Sequence, residues 1–161
     1  MRGRDVHLYL ALKLIHILGA AVLFGTGLGI AFFMFMAHRT GDPAAIAHTA
    51  RTVVIADAVF TATAVVLQPL TGWGLMATTG FSMFHFWIRA TLVLYVFIGL
   101  CWLPVVWIQL RMRDLAAEAA RKGKPLPARY HSYFRMWFWL GWPAFIGVIA
   151  IFVLMLWKPQ W

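Results

Sequence analysis

Four long apolar stretches dominate this sequence and restrict what the chain can fold into. They run over residues 8–37, 52–79, 83–110 and 132–157. A helix needs about 20 apolar residues to cross the hydrocarbon core of a bilayer, so each stretch is long enough to span it. None of them shows the two-residue alternation of a membrane strand. The sequence therefore predicts an all-α fold, a polytopic bundle of four transmembrane helices that forms a single membrane domain over residues 1–161.

The charge distribution indicates how such a bundle would be oriented. The formal net charge is +9, which in a soluble protein would suggest nucleic-acid binding. Here the basic residues cluster in two connections, 38–51 and 111–131, and cytoplasmic loops of membrane proteins are rich in Lys and Arg. We therefore expect no nucleic-acid partner, a location in the bacterial cytoplasmic (inner) membrane, and both termini in the periplasm. Arg2 and Arg4 mildly oppose this orientation.

Local patterns predict how the helices end and pack. Residues 114–122 have a helix-favouring composition, so the third helix is expected to leave the membrane and end at Gly123. The first connection, 38–51, is expected to be a loop. Gly25 and Gly29 form a small-xxx-small pattern, which is common where membrane helices pack closely.

Polar side chains within the apolar stretches mark candidate sites. An ionisable residue at the centre of a membrane helix costs about 2.5–3.5 kcal/mol on insertion scales, so such residues tend to be functional. Lys13 and His16 are three residues apart and share a face of the first helix, and His85 and Arg89 share a face of the third. The predicted topology gathers one such set in the outer leaflet, from all four helices: Lys13, His16, Gln68, Thr71, His85, Arg89 and Lys158.

A second polar set falls in the inner leaflet and has a more structural character. Its histidines are His38, His48 and His131, which we interpret as interface residues. Asp57 is the only carboxylate within an apolar stretch, and Arg135 is expected to neutralise it across the bundle.

Histidine combined with several cations favours a tetrapyrrole as the ligand of the outer set. A buried imidazole can bind haem iron, and cations can pair with the haem carboxylates. His16 is the predicted axial ligand and His85 the second; Lys13, Arg89, Lys158 and Gln68 complete the predicted cofactor site. Cys101 is the only cysteine, so covalent c-type attachment is not indicated. The structural alternative is that Lys13 extends to the interface and His16 makes an interhelical hydrogen bond.

Several segments carry a resemblance to known proteins. LALKLIHILGAAVLFGTGLG, VVLQPLTGWGLM, FHFWIRATLVLYVFIGLCW and YFRMWFWLGWPAFIGVIAIFVLMLWKP together resemble an uncharacterised family of small bacterial predicted integral membrane proteins. More distantly, the chain is similar to HemJ-type protoporphyrinogen oxidases and to copper-resistance membrane domains. The HemJ-type resemblance implies b-type haem and tetrapyrrole or redox chemistry. It would carry functional roles to Lys13, His16, Arg89 and Lys158.

Two functional hypotheses follow. The first is a haem b-binding integral membrane protein, an oxidoreductase acting on quinone, oxygen species or a porphyrinogen. The alternative is a non-enzymatic accessory or assembly subunit, or a copper or small-solute permeation module. The expected partners are the lipid bilayer, a quinone or tetrapyrrole, and either a second copy of the chain or another membrane subunit.

Overall fold

Four long helices make up the part of the chain that the computed structural model describes, residues 3–159, with side chains from residue 5 onward. Each helix is long and apolar enough to cross a bilayer, and no strand occurs within the described range. The predicted all-α, four-helix architecture is confirmed. The helices are α1 (Gly3–Thr40), α2 (Pro43–Thr79), α3 (Phe86–Lys122) and α4 (Ala128–Trp157).

The helices run alternately up and down, so the two ends of the bundle differ. The start of α1, the end of α4 and the 80–85 connection lie together at what we call the terminal end. The connections at 41–42 and 123–127 lie at the opposite, basic end. Arg2 lies outside the described residues, and so does the side chain of Arg4. The periplasmic placement of the termini stays a prediction.

The connection between α1 and α2 is much shorter than the sequence suggested. Within 38–51 only Gly41 and Asp42 are non-helical, so the predicted loop is wrong. Asp42 caps α2 by accepting a hydrogen bond from the Ala44 amide at 2.9 Å, and Pro43 occupies the first turn. The apolar stretch 52–79 covers only the membrane-embedded part of α2, which begins nine residues earlier, at Pro43. At the other connection, Gly123 ends α3 in a left-handed conformation (φ 60°), as predicted.

The hydrophobic core lies in the basic half of the bundle. All four helices contribute to it there, and Met34, Ile46, Met112 and Tyr130 are fully buried. In the terminal half the second part of α2 packs chiefly on α1, while α3 packs on α4. The two pairs contact each other in the terminal half through Phe24, which packs on Phe145 and Phe152, and through the Tyr95 hydroxyl, which donates to the Val65 carbonyl.

Glycines allow close approach between α1 and α2, but not the glycines that the sequence singled out. A Cβ at Gly19 would lie 2.7 Å from Gln68 Nε2, and one at Gly74 would lie 3.0 Å from Leu12 Cδ1. A Cβ at Gly25 would meet nothing within 4 Å, and the nearest neighbour of Gly29 is a side chain of its own helix. The expected packing through Gly25 and Gly29 is thus wrong within this chain.

Candidate functional site

His16 is half-buried between α1 and α2, and one hydrogen bond sets the chemical form of its ring. Its Nδ1 lies 2.8 Å from Thr71 Oγ1. The Thr71 hydroxyl has a single proton, and the carbonyls of Leu67 at 2.7 Å and Gln68 at 3.2 Å are acceptors for it. When the proton is donated to one of these carbonyls, the hydroxyl oxygen accepts from His16 Nδ1–H. The neutral imidazole then carries its free lone pair on Nε2.

The Nε2 atom of His16 is not sealed inside the protein. The polar groups that contact the imidazole are the Thr71 hydroxyl and the backbone carbonyl of Gln68. One edge of the ring lies against Gly72, where a Cβ would be 3.5 Å from His16 Cε1. An imidazole that is hydrogen-bonded on one side and accessible on the other has the arrangement that metal-binding histidines adopt.

Gln68 holds α1 and α2 together next to this ring. Its Nε2 donates to the His16 carbonyl at 2.8 Å, in the space left by the missing side chain of Gly19. Gln68, predicted as a cofactor-binding residue, is thus engaged with the backbone of the candidate ligand. Through this bond it positions the segment that carries His16.

Three cations of the predicted set are exposed at the terminal end. The Lys13 ammonium lies 5.5 Å from the centre of the Tyr9 ring, and that of Lys158 lies 5.3 Å from the Phe81 ring. Arg89 is exposed on the first turn of α3. None of the three forms an ion pair with a carboxylate in the described part of the chain. The terminal end therefore presents positive charge suited to an anionic group.

His85 lies away from His16. It precedes the first turn of α3, and its Nδ1 lies 2.8 Å from the carbonyl oxygen and 3.1 Å from the amide nitrogen of Ser82. Thr71, which bonds to His16, lies nine residues before Gly80, where α2 ends and the connection that carries His85 begins. The two positions on α2 are therefore about 13 Å apart along the helix. The described contacts do not bring the two histidines together, and His85 as a second ligand stays a prediction. No group of three or more His, Cys, Asp or Glu residues that could hold a metal ion occurs among residues with described side chains.

An open groove of about 460 Å³ lies between α1 and α2 at the terminal end. That volume falls within the range of small-molecule sites. Its walls are Val6, Tyr9, Leu10, Thr78 and Thr79. Sequence reasoning missed Tyr9, although its four-residue spacing from Lys13 signalled that the two share a helix face.

The inner-leaflet histidines join an aromatic cluster at the basic end. The His38 ring stacks on Phe134 with centroids 3.5 Å apart, and its Nδ1 lies 3.4 Å from the Tyr130 hydroxyl. His131 is edge-on to His38 at 5.8 Å. His48 is exposed near the start of α2.

The expected pairing of Asp57 with Arg135 is wrong. Asp57 is buried and accepts a hydrogen bond from the indole nitrogen of Trp102 at 3.3 Å. Arg135 is exposed, and the ion pairs found in the described part of the chain both lie on the extension of α3. Asp57 faces α3, whereas Arg135 lies on an outward face of α4.

These four apolar helices define a multi-pass integral membrane protein, whose environment is a lipid bilayer. A family described as "Predicted integral membrane protein (DUF2269)" matches residues 10–159, and the chain belongs to that family. The predicted resemblance to an uncharacterised membrane-protein family is thereby confirmed. No curated protein and no solved structure matches the chain, and the more distant similarity to HemJ-type oxidases and copper-resistance domains is not shown.

Proposed function

We propose that this protein binds haem b in the terminal half of its bundle, in the bacterial inner membrane, with His16 as an axial ligand. The observation that carries the proposal is the hydrogen bond from His16 Nδ1 to Thr71, which leaves the lone pair on Nε2. Haem-binding histidines coordinate iron through one ring nitrogen and donate a hydrogen bond from the other. Thr71 supplies that acceptor inside an otherwise apolar environment.

Two features of the terminal half support a tetrapyrrole as the ligand. Lys13, Arg89 and Lys158 are cations without a described carboxylate partner, so they are available to hold the two haem propionates. Gly72 lies against the imidazole, and Leu12 packs on Gly74 one residue further along α2 from the Gly72–Trp73 pair. Bound haem supplies one-electron redox chemistry, and an oxidoreductase acting on quinone, oxygen species or a porphyrinogen is the activity class that we infer.

The absorption spectrum of the purified protein tests the proposal. Protein expressed with adequate haem supply should show a Soret band, and His16→Ala should lose it. His7→Ala is a matched control, because His7 is an exposed histidine of the same helix. Wild-type protein without a Soret band would overturn the proposal. A His16→Ala variant with the wild-type spectrum would overturn the ligand assignment alone.

The same preparation discriminates against the non-enzymatic alternative. An accessory subunit, or a copper or small-solute permeation module, would be colourless under these conditions. Copper bound in stoichiometric amount to colourless protein would favour permeation, and its loss in His16→Ala would place the metal at the same histidine.

A further inference from the structure

A second polar site lies in the interior of the bundle, independent of His16. It occupies a π-helical turn of α2, Asp57–Thr61, whose two ends are buried: Asp57 and Thr61 are each 5% exposed. Single π turns inside α-helices are rare and occur frequently at functional sites. Here the turn places a carboxyl group and a hydroxyl group four residues apart inside the hydrocarbon region.

The Thr61 hydroxyl is without the usual partner of a helical threonine. Within membrane helices a threonine commonly donates to the carbonyl four residues earlier. In this chain Thr52, Thr63, Thr71 and Thr79 all do so. The buried Thr61 and Thr91 do not, and at Thr61 the corresponding carbonyl, that of Asp57, accepts from the Ala62 amide.

The carboxyl group on this turn has one hydrogen bond of regular geometry. Asp57 Oδ1 accepts from Trp102, whereas Oδ2 has no such bond, and the Thr61 hydroxyl is the neighbouring polar group that interacts with the carboxyl group. A buried oxygen without a hydrogen bond costs about 1–3 kcal/mol, and an ionised carboxylate costs more. A proton on Oδ2 would remove that charge.

No cation from the surrounding helices is available to neutralise Asp57. Between His16 and His38, α1 has no ionisable side chain, and α4 has none between Arg135 and Lys158. The intramembrane part of α2 contains no other ionisable group, and α3 offers only Tyr95 and Cys101. The side-chain oxygens of Asp57 and Thr61 are also too few for a metal cation such as Ca²⁺ or Mg²⁺, which takes about six or more oxygen ligands.

Buried polar groups continue from Asp57 towards the basic end. Gln109 is 2% exposed, its Oε1 has no described partner, and it lies two helical turns beyond Trp102 on α3, about 10 Å along the axis. Further along, the buried Tyr130 hydroxyl lies 3.4 Å from Nδ1 of the half-buried His38. Groups of this kind can hold bridging waters, and such waters carry protons.

We propose that Asp57 is an exchangeable proton-binding site: Oδ2, beside the Thr61 hydroxyl, takes one proton from water. Oδ1 keeps its hydrogen bond from Trp102 in both states. Release returns the proton to water and restores the carboxylate, so no oxidant or reductant is consumed. Burial without a counter-charge favours the protonated form.

Infrared spectroscopy of the full chain in lipid vesicles tests this site. The wild type should show a protonated-carboxyl C=O band at neutral pH that shifts in D2O and disappears reversibly at high pH. Asp57→Asn should lose that band. Asp114→Asn should keep it, because Asp114 is exposed and paired with Arg113. Thr61→Val, which retains the carboxyl group and the shape of the side chain, should move the band.

Several results would overturn the proposal. A neutral-pH spectrum without the band, or one that Asp57→Asn leaves unchanged, would show that Asp57 is not the proton-binding group. A band insensitive to D2O and pH would rule out exchange, and an unmoved band in Thr61→Val would rule out the pairing with Thr61. None of these readouts involves haem, so their failure is distinguishable from failure of the haem proposal.

Discussion

At the scale of single residues, a threonine hydroxyl determines what His16 can do. When the Thr71 proton is donated to the Leu67 carbonyl, Thr71 accepts from His16, and the ring presents a lone pair on Nε2. The same residue type has a different role at Thr61, where the hydroxyl makes no bond to the backbone and interacts with the Asp57 carboxyl group.

Replacing Thr71 with valine removes the acceptor for His16 Nδ1 while keeping the side-chain shape. The protein should remain folded, since one hydrogen bond contributes about 0.5–1.5 kcal/mol. Haem affinity should fall about 10- to 100-fold, the usual effect of losing the partner of a metal-binding histidine. Haem titration followed by absorbance measures this, with Thr71→Ser as the control that keeps the acceptor. Wild-type affinity in Thr71→Val would contradict the orienting role.

At the scale of helices, the packing of α1 on α2 depends on where side chains are missing. A Cβ at Gly19 would displace the Gln68 amide from the His16 carbonyl, whereas the same atom at Gly25 would meet nothing. The glycine spacing in the sequence drew attention to Gly25 because a pattern shows which residues share a face but not which face meets a neighbour.

Gly19→Ala should therefore destabilise the protein relative to Gly25→Ala. Displacing Gln68 leaves its amide without a partner, a cost of about 1–3 kcal/mol. Both variants gain about 0.5–1 kcal/mol of helix propensity from the alanine. Thermal unfolding in detergent, followed by circular dichroism, should give a lower midpoint for Gly19→Ala. Equal midpoints would show that the Gln68 bond adds nothing to the packing.

Sequence patterns predicted some features of these helices well and others poorly. The four apolar runs predicted four helices because bilayer thickness imposes that length, and Gly123 marked the end of α3 by its conformational freedom. The π turn at Asp57 has no comparable signature, since it depends on how α2 packs on its neighbours. The predicted Asp57–Arg135 pairing was wrong for a similar reason. The sequence indicates how deep each residue lies in the membrane, but it does not show which neighbouring helix each side chain faces.

At the scale of the whole molecule, the two halves of the bundle differ in packing and in exposed charge. The basic half holds the main hydrophobic core. In the terminal half α2 packs chiefly on α1 and α3 on α4, and Lys13, Arg89 and Lys158 are exposed there. The proposed haem site lies in this second half.

Charge at the terminal end should contribute to haem binding. Changing Lys13, Arg89 and Lys158 to glutamine should weaken binding by about 10- to 150-fold for each cation that holds a propionate, from about 1.5–3 kcal/mol per charged hydrogen bond. Haem dimethyl ester, which lacks free carboxylates, should bind wild type and triple variant equally. A matched control is glutamine at Arg111, Arg121 and Lys124, which lie at the basic end. Equal loss in both triple variants would contradict a specific role.

The most direct test of the central claim is a haem titration of haem-free protein in lipid nanodiscs, monitored at the Soret band. Wild type should saturate at one haem per chain, and His16→Ala should show no saturable binding. His7→Ala should match the wild type. A wild-type titration that never saturates, or saturation in His16→Ala equal to that of wild type, would contradict the assignment of His16 as the ligand.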